Sequence, residues 1–205
     1  MPGTGRFDQA AATWDGEERR VRLAQGVTEA IVRLCALPAD LDVLDFGCGT
    51  GLVSLALRPL VRSVTGVDTS RGMLDVLEKK VSERALDGVH AVFVSPDSPL
   101  AVPGRFDLIV SSMALHHVAD LPPLFTRFRE HLNPGGRIAL ADLDPEDGTF
   151  HEDATGVVHL GFERGAFGAL LGAAGFVDVK VETATVTRKA ERAYPVFLAT
   201  ARVGE

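Results

Sequence analysis

The chain has 205 residues, the length of a single domain, with 46% hydrophobic and 24% charged residues, so it can bury a core without disulfide or metal staples. Its 28 acidic residues outnumber 21 Lys and Arg, for a net charge of −7. That balance excludes a general nucleic-acid binder, which needs a concentrated basic face; Arg19-Arg20-Val21-Arg22 and Arg188-Lys189 are short basic spots mixed with Glu. The two cysteines, Cys35 and Cys48, form no Cys-x-x-Cys pair, so no zinc site or redox dithiol is indicated and no metal is expected. Cys35 reads as a small core residue and Cys48 as a loop filler. The start lacks a signal-peptide layout and no run reaches ~18 apolar residues, so the expected location is the cytoplasm, away from membranes.

After a polar, Gly-containing leader, Val21, Ala24, Val27, Ile31 and Leu34 recur at helical spacing, predicting a helix over 17–37 stopped by Pro38. Residues 41–46 read as a buried strand ended by Gly47-Cys48-Gly49-Thr50-Gly51. A short helix follows over 52–57, then a strand over 63–67 that ends on Asp68. Ser70 is placed to cap a helix running through Arg84. Strands are predicted over 90–94 and 106–110, and a helix over 121–132 with Pro122 and Pro123 in its first turn. Asn133-Pro134-Gly135-Gly136 reads as a turn before a fifth strand, 137–141. The segment 142–162 is acidic and aperiodic, a long functional loop. A helix over 163–174 closes on Gly175, and two β-rich runs, 176–186 and 196–203, can pair antiparallel across a longer connection. Strand and helix alternation predicts an α/β, Rossmann-like, mostly parallel sheet of seven strands with helices on both faces and an antiparallel last strand.

The chemistry begins at the glycine loop. Gly47, Gly49 and Gly51 after a strand let backbone approach a ligand where side chains would block it. A phosphate-binding loop needs Gly-Lys-Ser/Thr, and here Leu52-Val53 follows. A dinucleotide fingerprint needs Gly-x-Gly-x-x-Gly, and Leu52 breaks it. A nucleoside ligand without pyrophosphate remains. Asp68, 17 residues beyond Gly51 at the tip of the next strand, is placed to grip both ribose hydroxyls. Loop and acid at the tips of adjacent parallel strands mark the crevice such sheets use for binding.

Four stretches in register carry a resemblance over roughly residues 40–143. They are Val43-Leu44-Asp45-Phe46-Gly47-Cys48-Gly49-Thr50-Gly51; Val67-Asp68-Thr69-Ser70 with Met73-Leu74; Phe106 to Ser112 with Leu115-His116-His117; and Leu132-Asn133-Pro134-Gly135-Gly136. The chain resembles the class I S-adenosylmethionine-dependent methyltransferases. Its leader, Phe7-Asp8 with Ala12-x-Trp14-Asp15, is similar to that of the ubiquinone- and menaquinone-methyltransferase-like branch (methyltransferase types 11 and 12), which acts on small molecules. The resemblance implies S-adenosylmethionine as cofactor and S-adenosylhomocysteine as product. It implies that Gly47, Gly49 and Gly51 lie along the methionine and ribose, and that Asp45 orients the loop and its amino-group contact. Asp68 would hold the ribose diol, and Thr69 and Met73 would flank the adenine. Asp97 would accept from the adenine amino group, Ser98 would give a backbone donor, Ser111 would face the methionine portion, and Trp14 in the leader would cover the cofactor. Plain readings stand beside these: Asp45 as a cap of the glycine turn, Met73 and Trp14 as core.

Methyl transfer needs alignment and dryness first, and a base only where the acceptor must lose a proton. Candidate catalytic residues are His116, His117 and His159, with His151 and Asp142 also in reach; the pair His116–His117 equally suits a structural role. The acidic set Asp142, Asp144, Glu146, Asp147, His151, Glu152, Asp153 has neither EF-hand nor zinc spacing and reads as a solvated loop. Ser111-Ser112-Met113-Ala114 replaces the Asn/Asp-Pro-Pro-aromatic element of enzymes that methylate DNA-base amines, and no Pro-Cys nucleophile is present. The expected partner is a small-molecule acceptor, covered by Trp14, Phe150, His159 and Phe162, with no nucleic acid and a monomer or homodimer. The expected organisation is one domain: 1–37 a leader and helix capping the cleft, 38–143 the cofactor half, 144–205 the acceptor loop, last helix and final hairpin. Rival functions are a cyclase or isomerase using the sulfonium electrostatically, a non-catalytic cofactor sensor, and a nicotinamide oxidoreductase.

Overall fold

The computed structural model describes residues 4–98 and 100–204. The strands are β1 (Asp42–Phe46), β2 (Ser63–Asp68), β3 (Val89–Phe93), β4 (Phe106–Ser112), β5 (Leu132–Leu143), β6 (Phe176–Lys189) and β7 (Arg192–Val203). They form one seven-stranded sheet in the order β3-β2-β1-β4-β5-β7-β6. Strands β1 to β5 pair in parallel, and β7 is antiparallel to both β5 and β6. The expected Rossmann-like, mostly parallel sheet with an antiparallel last strand is the fold observed.

The helices are α1 (Thr4–Ala10), α2 (Glu18–Leu34), α3 (Leu52–Leu57), α4 (Arg71–Glu83), α5 (Leu121–Glu130) and α6 (Arg164–Ala173). Period-two alternation along the strands sends neighbouring side chains to opposite faces. Leu44, Phe46, Ile109, Ile138 and Leu140 pack with Phe125, Phe128 and Phe167 of α5 and α6. Val43, Leu108, Val110, Ala139 and Ala141 face Val27 and Ile31 of α2 and Val53 and Leu57 of α3. Near-continuous apolar runs such as Leu108-Ile109-Val110 follow from this burial on both faces. Cys35 is buried in the second of these clusters and is a core residue.

Several elements differ from the sequence reading. The leader is ordered: α1 and a 3-10 turn over Ala11–Gly16 precede α2. Residues 133–136 do not separate helix from strand; β5 begins at Leu132, and the register jumps from Phe106↔Leu132 to Leu108↔Arg137, so these residues are a bulge. Asp107 stabilises it, accepting from Asn133 Nδ2 at 2.6 Å while its other oxygen accepts from the Asp42 N–H at 2.9 Å. The last two strands extend to Lys189 and Arg192 and meet in a tight turn with Ala190 at φ 50°, not across a longer connection. The acidic loop starts later than expected, because Asp142 and Leu143 belong to β5.

The leader docks through a carboxylate. Ser70 caps α4, its Oγ accepting from the Met73 N–H at 3.2 Å, and the same hydroxyl donates to Asp8 Oδ1 at 2.6 Å. Asp8 also accepts from the Gly72 N–H at 2.8 Å, so an acid from α1 sits on the first turn of α4, where the helix dipole favours it. The approach is close because residue 72 is glycine: a Cβ there would stand 2.9 Å from Asp8 Cα and from its carbonyl oxygen. Gly72→Ala is therefore expected to lift α1. Limited trypsin digestion should cut after Arg6 faster than in wild type, with the melting temperature lowered by ~2–4 °C, the shift ~1 kcal/mol produces in a chain of this size. Unchanged cleavage would show that the docking tolerates the methyl.

Candidate active site

Parallel pairing of β1 with β2 and β4 puts three strand ends side by side, and the chemistry-bearing residues follow those ends. The glycine loop leaves β1 with Gly47, Gly49 and Gly51 at φ 70°, 54° and 81°, a left-handed run that other residues adopt at a cost. The N–H groups of Gly47 and Cys48 donate to the Val67 carbonyl at 2.9 and 3.1 Å, tying the loop to β2. Asp68 completes the tie. Its Oδ2 accepts from the Gly49 N–H and its Oδ1 from the Ser70 N–H, both at 2.8 Å. Each carboxylate oxygen keeps a lone pair, and together they suit a vicinal diol. A Cβ on Gly49 would meet nothing within 4 Å, so open space adjoins the carboxylate. The residues present therefore fit a ribose-bearing ligand lying along the loop.

Burial raises the pKa of Asp68 even against its backbone donors. Asp45 is buried at 1% exposure and takes the Ser54 hydroxyl; desolvation pushes its carboxyl up to about 6. Cys48 is buried, and desolvation lifts its thiol well above the usual range. Met73 is buried inside the protein. Ser111 is buried with its hydroxyl donating to the Phe46 carbonyl at 2.9 Å, joining β4 to β1.

Beyond β3 the Ser98 backbone departs from expectation. The Ser98 N–H donates to the Ser95 carbonyl at 2.9 Å, so the turn uses the backbone donor that an adenine contact would need. Asp97 is exposed, with its N–H on Ser95 Oγ at 3.3 Å, and Pro99 of the same segment lies outside the described residues.

The leader closes over the loop. Thr50 Oγ1 donates to Asp15 Oδ1 at 2.6 Å, Lys80 of α4 pairs with Asp15, and Lys80 Nζ donates to the Thr50 carbonyl at 2.7 Å. Trp14 has the Arg20 guanidinium 3.8 Å above its ring and Phe7 edge-on at 5.9 Å. Arg6 reaches the carbonyl of Asp153, joining the leader to the loop after β5.

The histidines separate by role. His116, in a 3-10 turn over Leu115–His117, is 2% exposed, and Asp142 at the end of β5 is fully buried. Asp142 Oδ1 lies 2.8 Å from His116 Nδ1, and Oδ2 accepts the His116 N–H at 3.1 Å. A carboxylate only accepts, so Nδ1 carries a proton, and in the neutral imidazole the lone pair is on Nε2. Asp142 is thus no part of a solvated loop. Ala114, two residues before His116, packs against the glycine loop, since a Cβ on Gly47 would fall 2.4 Å from Ala114 Cβ. His117 donates Nδ1–H to the Gly156 carbonyl at 2.8 Å and meets Phe7 at 5.3 Å. His159 turns away: its Nε2 bonds the Val118 carbonyl at 2.9 Å and its ring lies on Phe162, itself core. Phe150 is likewise buried. His151 packs on His116 with ring centroids 4.8 Å apart. Among the described residues no group of three His, Cys, Asp or Glu has the geometry of a metal site. Asp8, Asp15 and Lys80, which fix the leader, were not singled out in sequence; the two acids stood in the leader motif, but nothing local shows what they bind.

A family model described as a methyltransferase domain matches residues 16–181. The chain belongs to this family. It has the class I S-adenosylmethionine-dependent methyltransferase fold. It is 36% identical over 125 residues to an uncharacterized methyltransferase of Schizosaccharomyces pombe, covering 55% of this chain and 42% of that one. It is 28% identical over 150 residues to the aklanonic acid methyltransferase DauC of Streptomyces sp. (strain C5), covering 72% and 67%. The chain therefore spans under half of the fission-yeast relative and about two thirds of the Streptomyces one. Among solved structures, magnesium protoporphyrin IX methyltransferase from Synechocystis PCC 6803 with bound S-adenosylhomocysteine superposes with TM-score 0.65 at 18% identity, over 91% of this chain and 80% of that one. At that identity the likeness concerns the fold.

Two outcomes follow for this site. Asp68→Ala should weaken S-adenosylhomocysteine binding by ~1.5–3 kcal/mol, the worth of hydrogen bonds to a charged group, and unchanged affinity in calorimetry would remove Asp68 from the site. The second concerns pH. Burial pushes His117 and His151 down to about 4 from 6.5, so their stability contribution is complete above pH 6.5 and is lost as pH falls through 4. Asp45, raised from 3.8 to about 6, works the other way, stabilising below 3.8 and losing that contribution as pH rises through 6. Asp68, also raised by burial, acts in the same sense as Asp45, so two histidines and two acids oppose each other over this range. Between pH 4 and 6 the urea midpoint should change with pH more positively in Asp45→Asn than in wild type, and less positively in His151→Asn.

Proposed function

We propose that the protein transfers a methyl group from S-adenosylmethionine to a hydroxyl of a small-molecule acceptor, with His116 as the proton acceptor. The observation that supports this best is the buried Asp142–His116 pair, in the turn that begins at Ala114 against Gly47. When bound, the cofactor supplies a sulfonium-activated methyl carbon, whose C–S bond breaks as the acceptor O–C bond forms and S-adenosylhomocysteine is left.

This chain's residues do the rest. The Gly47, Gly49 and Gly51 backbone lies along the ligand, and Asp68 holds the ribose diol through the lone pairs left by Gly49 and Ser70. Thr69 and Met73 border the adenine, Asp97 reaches its amino group, and Asp45 and Ser111 shape the loop and the tip of β4. Trp14, held between Phe7 and Arg20, covers the pocket, and the leader and the loop over 144–163 keep water out. His116 Nε2 takes the acceptor's hydroxyl proton, and the Asp142 carboxylate on Nδ1–H fixes the tautomer and stabilises the imidazolium that forms. In this reading the whole of 1–205 is one methyltransferase domain working in the cytoplasm, as a monomer or homodimer. The Streptomyces relative's named substrate, aklanonic acid, supports a small acceptor.

Calorimetry with S-adenosylmethionine, S-adenosylhomocysteine and NADH as control should show binding of the two sulfur nucleosides only. An acceptor screen with methyl-labelled cofactor should then give His116→Asn a kcat lower by ~10²–10⁴ with unchanged S-adenosylhomocysteine affinity, the usual range for a general base. Turnover with the label retained on the cofactor would favour a cyclase or isomerase, and no nucleoside binding by folded protein would overturn the reading.

A further inference from the structure

Two acids of the leader reach the glycine loop and α4, and both end beside the same carboxylate. Asp68 is held by two backbone donors, the Gly49 N–H on Oδ2 and the Ser70 N–H on Oδ1, each at 2.8 Å. Ser70 is fully buried and gives its only side-chain proton to Asp8 of α1 at 2.6 Å. Thr50, the residue after Gly49, is 1% exposed and is gripped at two atoms. Its hydroxyl donates to Asp15 at 2.6 Å, and its carbonyl accepts from Lys80 Nζ at 2.7 Å. Lys80 also pairs with Asp15, so α4 and the leader close on the loop together. Each donor to Asp68 therefore has a leader acid bound to it or to its chain neighbour.

Apolar burial holds the leader only lightly. Of residues 5–16 Ala11 alone is buried, with Phe7 and Trp14 half-buried. A segment that buries so little opens far more readily than the sheet beneath it. When it opens, the buried hydroxyls of Ser70 and Thr50 lose their acceptors and Lys80 loses its counter-charge. A buried hydroxyl left without a partner is costly, so both residues are driven to rearrange. The two N–H groups that aim Asp68 then lose their fixed positions. A ligand gripped by Asp68 meets a carboxylate already aimed at it only while the leader is docked, and pre-set geometry of this kind is what raises affinity.

We propose that Asp8, Asp15 and Lys80 are positioning residues for Asp68, so that leader docking and cofactor binding form one linked equilibrium. Asp15 and Lys80 act through Thr50 on the Gly49 donor, and Asp8 acts through Ser70 on the other. Whatever favours the docked leader tightens the site, and by reciprocity the bound cofactor holds the leader down by the same factor. The linkage rests on the methyl-transfer reading above for the identity of the ligand, but the positioning of the two donors can be tested without any ligand.

The first measurement is amide hydrogen exchange by NMR on the ligand-free protein. The Gly49 amide should exchange about threefold faster or more in Asp15→Ala and Lys80→Met, and the Ser70 amide likewise in Asp8→Ala. Gly72→Ala, which keeps every acid but crowds α1, should reproduce the Ser70 effect. Lys80→Arg and Asp8→Asn, which retain the donor and the acceptor, should stay close to wild type. The second is calorimetry with S-adenosylhomocysteine, expected to bind about fivefold or more weakly to Asp15→Ala and Lys80→Met and within about twofold of wild type to Lys80→Arg. Arg202→Ala, which removes an ion pair with Asp178 between the last two strands, separates this from general destabilisation. It should leave both amides and the affinity unchanged at any melting temperature. In the reverse direction, S-adenosylhomocysteine should slow trypsin cleavage after Arg6 in wild type, and slow it less in Lys80→Met. Unchanged exchange at Gly49 and Ser70 in the Ala and Met variants would overturn the positioning. Equal affinity across wild type, Asp15→Ala and Lys80→Met would overturn the linkage. Failure of S-adenosylhomocysteine to bind wild type would overturn the methyl-transfer reading alone, since the exchange rates still decide the positioning.

Discussion

One carboxylate organises the active side of this molecule. Asp142 ends β5 fully buried and accepts from the His116 backbone, its imidazole and the Leu143 N–H. Those bonds fix the turn after β4 to the end of β5. The His116 carbonyl in turn accepts from the Val158 and His159 N–H groups at 2.9 and 3.1 Å, which seats the long loop. A buried charge is stable only when its lone pairs are engaged, and here the same bonds that satisfy it locate the histidine, its tautomer and the loop above it. The turn after β4 and the part of the loop seated on it are positioned by that satisfaction.

The cofactor side is held by acids in a similar way. Asp68 joins the glycine loop to the start of α4, Asp8 joins α1 to the same helix turn, and Asp15 joins the 3-10 turn to Thr50 and Lys80. Each accepts from donors that would otherwise be unpaired at a loop or a helix start. The leader is thus fixed against the glycine loop and α4, and through Arg6 it also touches the loop after β5. The glycine loop, the leader and the loop after β5 are linked by short polar contacts, while the sheet beneath them is almost wholly apolar.

The strain of this arrangement lies where function is placed. Asp45 and Asp68 are held above their ordinary pKa by burial, and His117 and His151 below theirs. Among the described residues three buried side-chain atoms lack a hydrogen-bond partner, Arg6 Nε, Glu146 Oε1 and His151 Nε2, the last on the ring that packs on His116. Polar groups that cost stability in the free protein are what a ligand can satisfy.

The sequence by itself determined the sheet, its mostly parallel order, the glycine loop and Asp68, because period-two strands, helical spacing and glycine punctuation are local signals that any fold of this chain must honour. Even the limits of α3 and the Ser70 cap were legible, since a cap needs only its own neighbours. The leader's helices were missed because α1 is short and acquires its order from Asp8 reaching a helix turn 62 residues away. The bulge at 133–136 and the tight turn at Ala190 arise from pairing with β4 and β7, which local pattern does not encode. The histidines show the division most clearly. Residue type marked His116, His117 and His159 alike, but only the fold could give His116 a buried carboxylate, His117 the carbonyl of Gly156, and His159 the carbonyl of Val118. A side chain's chemistry is set by what faces it, and what faces it is decided by contacts distant in the chain.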